Sequence, residues 1–211
     1  SKRVSARFRE LNAQEKSRLR KECLDRWPLG GRDAQSIDAF TQKAELGAKT
    51  VLVWNRQRRA PMDQRNSTLE GLLRMRDAVQ AVGASPVFIG NGLDVFGLGK
   101  EKLLEGAKDL TNHWLNPDPE IRSYAAQCYF HVALFRNGAK ASIGVKSGGM
   151  DVAAFLGAPT VCILHAGDPG HRMVEFAPVF RHFEIVSGKE KDIASLDDLC
   201  AALDSALKNS T

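Results

Sequence analysis

Five short apolar runs mark the chain, at residues 50–54, 86–89, 141–145, 160–164 and 183–186. They are predominantly apolar and, Glu184 apart, do not alternate, the pattern of strands buried on both faces in a parallel sheet covered by helices. The stretches between them carry the helical period. Phe8, Leu11, Leu19, Cys23 and Trp27 predict a helix over 6–26, broken at Trp27-Pro-Leu-Gly-Gly31. Asp33 is placed to cap a second helix to Leu46, with Ile37, Phe40 and Ala44 on one side and Gly47 as its stop. Ser67 and Glu70 form a capping-box pattern ahead of Leu72, Leu73, Met75, Val79 and Val82. Further helices are predicted over 101–115 and 120–136, from 147–149 to Leu156, and from Ser195 to Leu207.

This alternation predicts an α/β domain over 48–211, a single parallel sheet flanked by helices, with an N-terminal helical extension over 1–47. The length of 211 residues and 23.1 kDa allows one such domain plus an extension. No apolar run approaches the roughly 20 residues that span a bilayer, and no secretory signal precedes Ser1-Lys2-Arg3. A start without Met fits a processed form or a piece of a longer protein. Cys23, Cys128, Cys162 and Cys200 stand far apart, with no zinc or redox spacing, and fit a reducing, cytoplasmic setting. Cys162, inside an apolar run, reads as a small buried thiol.

Charge changes the picture at one end. Residues 1–65 carry 16 Lys+Arg against 8 Asp+Glu, and the remainder 14 against 17. A basic front half suits a phosphate-bearing ligand or an acidic surface, and equally a solvated helix face. Aromatic residues are not interleaved with the basic ones, so no specific nucleic-acid binding is expected.

Ligands of parallel α/β sheets bind beyond the carboxyl ends of the strands, which directs attention to the loops after Trp54, Ile89, Val145 and Leu164. A phosphate-binding P-loop is excluded, because Leu98 follows Gly97 where Lys is required. Gly90-Asn-Gly92 is two-thirds of a dinucleotide fingerprint, with Val95 in place of the last glycine. It is read as a turn open to close approach at Gly90, or as a plain connection. The strongest signal is Lys146-Ser147-Gly148-Gly149-Met150-Asp151, where an apolar strand meets a helix start. Glycines bare the backbone amides, the helix N-terminus contributes partial positive charge, and Lys146 adds a full one: a phosphate or diphosphate site, or else a tight turn capped by Ser147. Gly149 is expected to leave room for the ligand. In the loop 55–65, Arg56 first and then Arg59 are candidates to grip phosphate oxygens, against the alternative of a solvated basic loop. In the loop after Leu164, His165 and His171 are acid/base candidates that Asp168 can orient, and Glu175 can reach a ribose hydroxyl or simply face solvent. Their spacing matches no strong metal motif, and no metal is expected.

Ser147-Gly-Gly-Met-Asp-Val-Ala-Ala-Phe-Leu-Gly-Ala-Pro-Thr-Val161, followed by Gly167-Asp-Pro169, resembles the C-terminal nucleotide-sugar-binding domain of GT-B glycosyltransferases. The heptosyltransferase-like branch is nearest, with its S-G-x-M-H-x-A-A-x-L-G-x-P-T-V stretch and later T-D-P. The resemblance covers about residues 48–190 and is sharp over 147–169. It implies a Rossmann-like sheet and glycosyl transfer from a nucleotide diphosphate sugar, with no further cofactor. Lys146, Ser147, Gly148, Gly149 and Arg56 would hold the diphosphate, and His165 or Asp168 would serve as acid or base. Asp151 stands where the branch has His, so it is assigned a hydroxyl to accept from and the nucleotide and sugar are left open. GT-B enzymes carry a second Rossmann-like domain, usually the one for the acceptor, and this sequence has room for one. The acceptor is unknown, and a partner domain or larger parent chain is implied. An effector or toxin module delivered into a target-cell cytosol is one context for a lone domain of this kind. The rivals are a non-catalytic binding module and a nucleotide-consuming module, hydrolase or NAD-using, on the same fold.

Overall fold

The computed structural model describes residues 10–26, 31–59, 66–111, 124–165, 180–185 and 195–208. Two helices come first, α1 (Ala13–Arg26) and α2 (Gly31–Lys43). Then follow β1 (Thr50–Asn55), α3 (Leu69–Ala81), β2 (Ser85–Gly90), a 3-10 turn (Leu93–Phe96), α4 (Gly99–Leu103) and β3 (Lys108–Asp109). The chain continues through α5 (Tyr124–Arg136), β4 (Ala139–Val145), α6 (Gly148–Phe155), β5 (Thr160–His165), β6 (Phe180–Ile185) and α7 (Leu196–Lys208). All strand pairs are parallel, and the order across the sheet is β3-β2-β1-β4-β5-β6. This is the doubly wound Rossmann-like order, and it reverses direction between β1 and β4.

Every residue of β1 is buried, as its unbroken apolar run predicts. Its side chains divide between two cores. Val51 and Val53 join Leu72, Met75, Phe88, Ile143, Leu199 and Leu203 under α3 and α7. Leu52 and Trp54 join Ile37, Ile89, Phe130, Leu134 and Met150 under α2, α5 and α6. Full burial of one such side chain stabilises the fold by about 1.5–3 kcal/mol. Helix α2 therefore supplies part of a helical layer: Ile37 is 1% exposed, the Tyr129 hydroxyl donates to Asp38 Oδ2 (2.7 Å), and Asn137 Nδ2 donates to Thr41 Oγ1 (2.7 Å). Cys162 is fully buried in β5, and burial raises the thiol pKa of Cys128 and Cys200.

Several expected boundaries move, each for a local reason. The helix expected over 6–26 is broken at Leu11 and Asn12, after a helical Glu10, and α1 begins at Ala13 behind a reciprocal cap, in which the Glu15 amide donates to Asn12 Oδ1 (2.9 Å) and the Asn12 amide to Glu15 Oε2 (2.8 Å). The second starts at Gly31, so Asp33 lies inside it and is not its cap. It ends at Lys43, short of Leu46, where Glu45 takes φ 46° and Lys108 Nζ donates to the carbonyls of Ala44 (2.6 Å) and Glu45 (2.7 Å). The cap of α3 is Thr68, whose hydroxyl accepts from the Gly71 amide at 3.1 Å; Ser67 has another task, described below. The helix expected over 101–115 stops at Leu103. Gly106 turns the chain at φ 69°, and Lys108 and Asp109 pair with Val87 and Phe88 as a sixth strand where five were expected. The last strand runs over Phe180–Ile185, starting earlier than 183.

Candidate functional site

The crevice at the strand-order reversal lies between β1 and β4. Trp54 pairs with Gly144, so Arg56 and Lys146 each stand two residues past a paired position, at the carboxyl ends of adjacent strands. Lys146 is anchored by its amide, which donates to the Ile163 carbonyl at 2.9 Å. Ser147, extended at φ −159°, caps α6: its hydroxyl accepts from the Met150 amide (3.4 Å) and its carbonyl from the Asp151 amide (3.3 Å). Gly148 is exposed, and a Cβ there would meet open space.

Gly149 behaves differently from the expectation. A Cβ at this position would fall inside the Trp54 indole, so the space left by its missing side chain is taken by the protein itself. Trp54 is 4% exposed and stacks on His131, with ring centroids 5.3 Å apart and planes inclined by 24°. Gly144 makes room for the same residue, since a Cβ there would lie 2.7 Å from Trp54 Cβ. Met150 is buried beneath the turn, beside the Ser142 hydroxyl. Of the two glycines in the turn, only Gly148 has room for a side chain, and Gly149 seats α6 on Trp54.

On the β1 side, Arg56 is 6% exposed, while Arg58 and Arg59 are exposed. The Arg56 amide donates to Ser67 Oγ (2.9 Å) and its carbonyl accepts from the Ser67 amide (2.9 Å). Its Nη1 donates to Asn66 Oδ1 at 3.2 Å. Gly90 closes the far side at φ 95°. A Cβ there would run into the Asn55 carbonyl, so this glycine is required by the packing of β2 on β1. Asn91 then ties the two loops: its Oδ1 accepts from the Gln57 amide (2.9 Å), and its carbonyl accepts from Asn55 Nδ2 (2.7 Å).

The structure thus brings Arg56, Lys146, Ser147, Gly148, Gly149, Met150 and Asp151 to one edge, with Arg59 on the same loop and Gly90 behind it. His165 ends β5, two residues beyond Ile163, which pairs with Val145. Asp168, His171 and Glu175 lie outside the described residues. Among the described residues, no group of three His, Cys, Asp or Glu is placed to hold a metal. None of their helices is long and apolar enough to cross a membrane.

A cavity of about 410 Å³ lies at the opposite edge, by the amino ends of β1 and β2, lined by Gly47, Thr50, Ser85, Gly106 and Lys108 among others. Its shape is better defined than its chemistry. The Lys108 ammonium is occupied by the carbonyls behind α2, and the Thr50 hydroxyl donates to the Gly47 carbonyl. The carboxyl-edge crevice is the stronger candidate because cations and a helix N-terminus converge there.

Sequence reasoning missed Trp54, Asn55, Asn66 and Asn91 as site builders. Asn91 between two glycines and Asn55 at a strand end carry a weak turn signal, whereas nothing local distinguishes Asn66 in its polar loop.

No protein-family model and no curated protein matches the chain. Solved structures do. Glycosyl transferase family 9 from Veillonella parvula DSM 2008 superposes with a TM-score of 0.59 at 15% identity, over 85% of this chain and 52% of that one. E. coli ADP-heptose LPS heptosyltransferase II superposes with a TM-score of 0.59 at 15% identity, over 82% of this chain and 52% of that one. The chain therefore shares its fold with part of each of these two structures, and it spans about half the length of either.

Proposed function

We propose that the crevice binds a nucleoside diphosphate sugar and that the domain is the donor half of a glycosyltransferase. One observation carries this reading. At the point where strand order reverses, a glycine turn opening a helix follows β4 and a buried arginine follows β1, on two sides of one crevice. Arg56 and Lys146 would neutralise the diphosphate, and the first-turn amides at Gly148 and Gly149 would donate to its oxygens. Asp151, in the first turn of α6, would accept from a ribose or sugar hydroxyl. During transfer the bond from the anomeric carbon to the diphosphate oxygen breaks, negative charge grows on the leaving diphosphate, and the two cations stabilise it most at that stage. His165 and Asp168 are the acid/base candidates, and Arg59, His171 and Glu175 are assigned to the remaining donor contacts. A cytosolic setting, including that of a delivered effector, goes with this reading.

A second reading draws on the chain's covering about half of the similar structures: the domain binds the nucleotide and depends on a partner lobe for the acceptor and for turnover. Calorimetry against ADP, UDP, GDP, CDP and their sugar conjugates tests both. A bound diphosphate at 100 times its dissociation constant should stabilise the fold by about 2.7 kcal/mol in a thermal shift. Binding with release of nucleoside diphosphate from a donor supports transfer or hydrolysis, and the fate of the sugar separates these. Binding without turnover supports the partner-lobe reading, and no binding to any of the panel overturns both.

A further inference from the structure

The first residues after β1 form no helix or strand, yet most of their backbone polar groups are engaged. The amides of Arg56, Gln57 and Arg58 donate to Ser67 Oγ, Asn91 Oδ1 and Asn66 Oδ1. The carbonyls of Asn55, Arg56 and Arg58 accept from the Asn91 amide, the Ser67 amide and Asn66 Nδ2. Irregular backbone of this kind would otherwise rely on water, and here side chains and backbone of Ser67, Asn66 and Asn91 replace it. Asn66 contributes most. Its Oδ1 accepts from the Arg58 amide at 2.8 Å and from Arg56 Nη1 at 3.2 Å, and its Nδ2 donates to the Arg58 carbonyl at 2.9 Å. One side chain thus pairs with both polar groups of Arg58, as a neighbouring strand would, and holds the Arg56 guanidinium with the same oxygen.

We infer that Asn66 is a positioning residue: it presets the Arg56 guanidinium at the mouth of the crevice, and thereby sets preference for a diphosphate over a single phosphate. The inference rests on the nucleoside-diphosphate reading above. A guanidinium held before the ligand arrives loses little freedom on binding, and its position relative to the glycine turn fixes how far apart the phosphates it meets must be. Asn66 touches no ligand in this scheme; it acts through Arg56.

Two variants and two measurements test it. Asn66→Ala removes all three hydrogen bonds. Asn66→Asp keeps the acceptor for Arg58 and Arg56 but puts a carboxylate against the guanidinium and removes the donor to the Arg58 carbonyl. Amide hydrogen exchange at Arg58 reads the tie without any ligand. Calorimetry with inorganic pyrophosphate, and with whichever of ADP, UDP, GDP or CDP binds best alongside its monophosphate, reads the consequence. In Asn66→Ala, Arg58 exchange should accelerate at least tenfold, and affinity for diphosphate and pyrophosphate should fall at least tenfold. Affinity for the monophosphate should change less than threefold. Asn66→Asp should lose as much diphosphate affinity or more, with a thermal midpoint closer to wild type than that of Asn66→Ala.

Unchanged exchange at Arg58 in Asn66→Ala overturns the tie itself. Faster exchange with unchanged diphosphate affinity overturns the positioning role and leaves the nucleotide reading standing. An equal fall for monophosphate and diphosphate overturns the inference too, since it marks general damage. Wild type that binds neither pyrophosphate nor any nucleoside diphosphate overturns the underlying reading, and this inference with it.

Discussion

On the β1 side of the crevice, hydrogen bonds hold the chain: Asn66, Ser67 and Asn91 bond to the backbone around Arg56, and Asn55 to the Asn91 carbonyl. On the β4 side, packing holds it: Gly149 and Gly144 lie against Trp54, which stacks on His131 in the core. The two sides face the same space but couple differently to the rest of the fold. A hydrogen-bonded loop can lose its chemistry while the core stays intact, because its partners are local and polar. A turn pressed onto a buried indole cannot change without moving the core, since interiors are close-packed and deform poorly. Functional tests are therefore cleaner on the β1 side, and variants at Gly149 report stability as much as binding.

The largest effect should come from Gly149→Val. A branched side chain there collides with the Trp54 ring, and overpacking of this kind typically costs about 1–3 kcal/mol. At about 2–4 °C per kcal/mol for a chain of this size, the thermal midpoint should drop by roughly 2–12 °C. Pairing it with Trp54→Leu should give less than the sum of the two single losses, because both act on one contact. Additive losses would mean that the turn and the indole are independent, and the contrast drawn here would fail.

Arg56→Lys should do the reverse, sparing the fold and impairing the chemistry. It keeps the charge but loses the fork, so turnover at saturating donor should fall by roughly 10–100-fold with a near-native melting curve. Equal turnover in wild type and variant would remove Arg56 from the mechanism.

Ser147→Ala sharpens the comparison at a single hydrogen bond on the packed side. Loss of the cap to the Met150 amide should cost about 1 kcal/mol in a denaturant melt, and Ser147→Gly only a few tenths. If both substitutions cost the same, the hydroxyl is not the cap.

The smallest effect belongs to a surface ion pair away from both loops. The Lys100 ammonium donates to Asp94 Oδ1 at 2.7 Å, with Asp109 Oδ2 at 3.6 Å, and the Asp94 hydrogen bond raises its pKa above 10.5. A cation stabilised in the folded state contributes fully below 10.5 and loses that contribution as pH rises through the folded value. Lys100→Met should cost less than about 1 kcal/mol at pH 7, and the gap from wild type should close in melts above pH 10.5. A larger loss would give this pair a structural weight that its exposure argues against.

Much of the site is legible before any coordinates. Lys146-Ser147-Gly148 after an apolar run announces a capped helix start, and Arg56 just past another announces a cation at the same edge, and the structure has both there. Gly90 and Gly149 are legible as glycines of the site, but their packing role is not. The sequence offers a ligand as a reason for both, and the structure adds one from β1: the Asn55 carbonyl at Gly90, the Trp54 ring at Gly149. The pattern Ser67-x-x-Glu70 is a correct sign that a helix begins nearby and a wrong sign of its cap, because a hydroxyl one residue along does the capping and Ser67 bonds to Arg56.

What the sequence determined by itself is everything set by neighbours along the chain. Unbroken apolar runs require burial on both faces, hence parallel strands under helices, and glycines and small polar residues mark where helices start and stop. The tertiary structure decided what depends on distant partners. Lys108 and Asp109 are a strand only because β2 offers them a ladder, a two-residue element that no periodicity can reveal. Asn66 matters only because folding brings it beside Arg58 and Arg56, and Gly149 matters to stability only because Trp54 arrives from another strand. Periodicity records whether a side chain is buried, but which side chain it meets is set by the strand order, and that is a property of the assembled sheet.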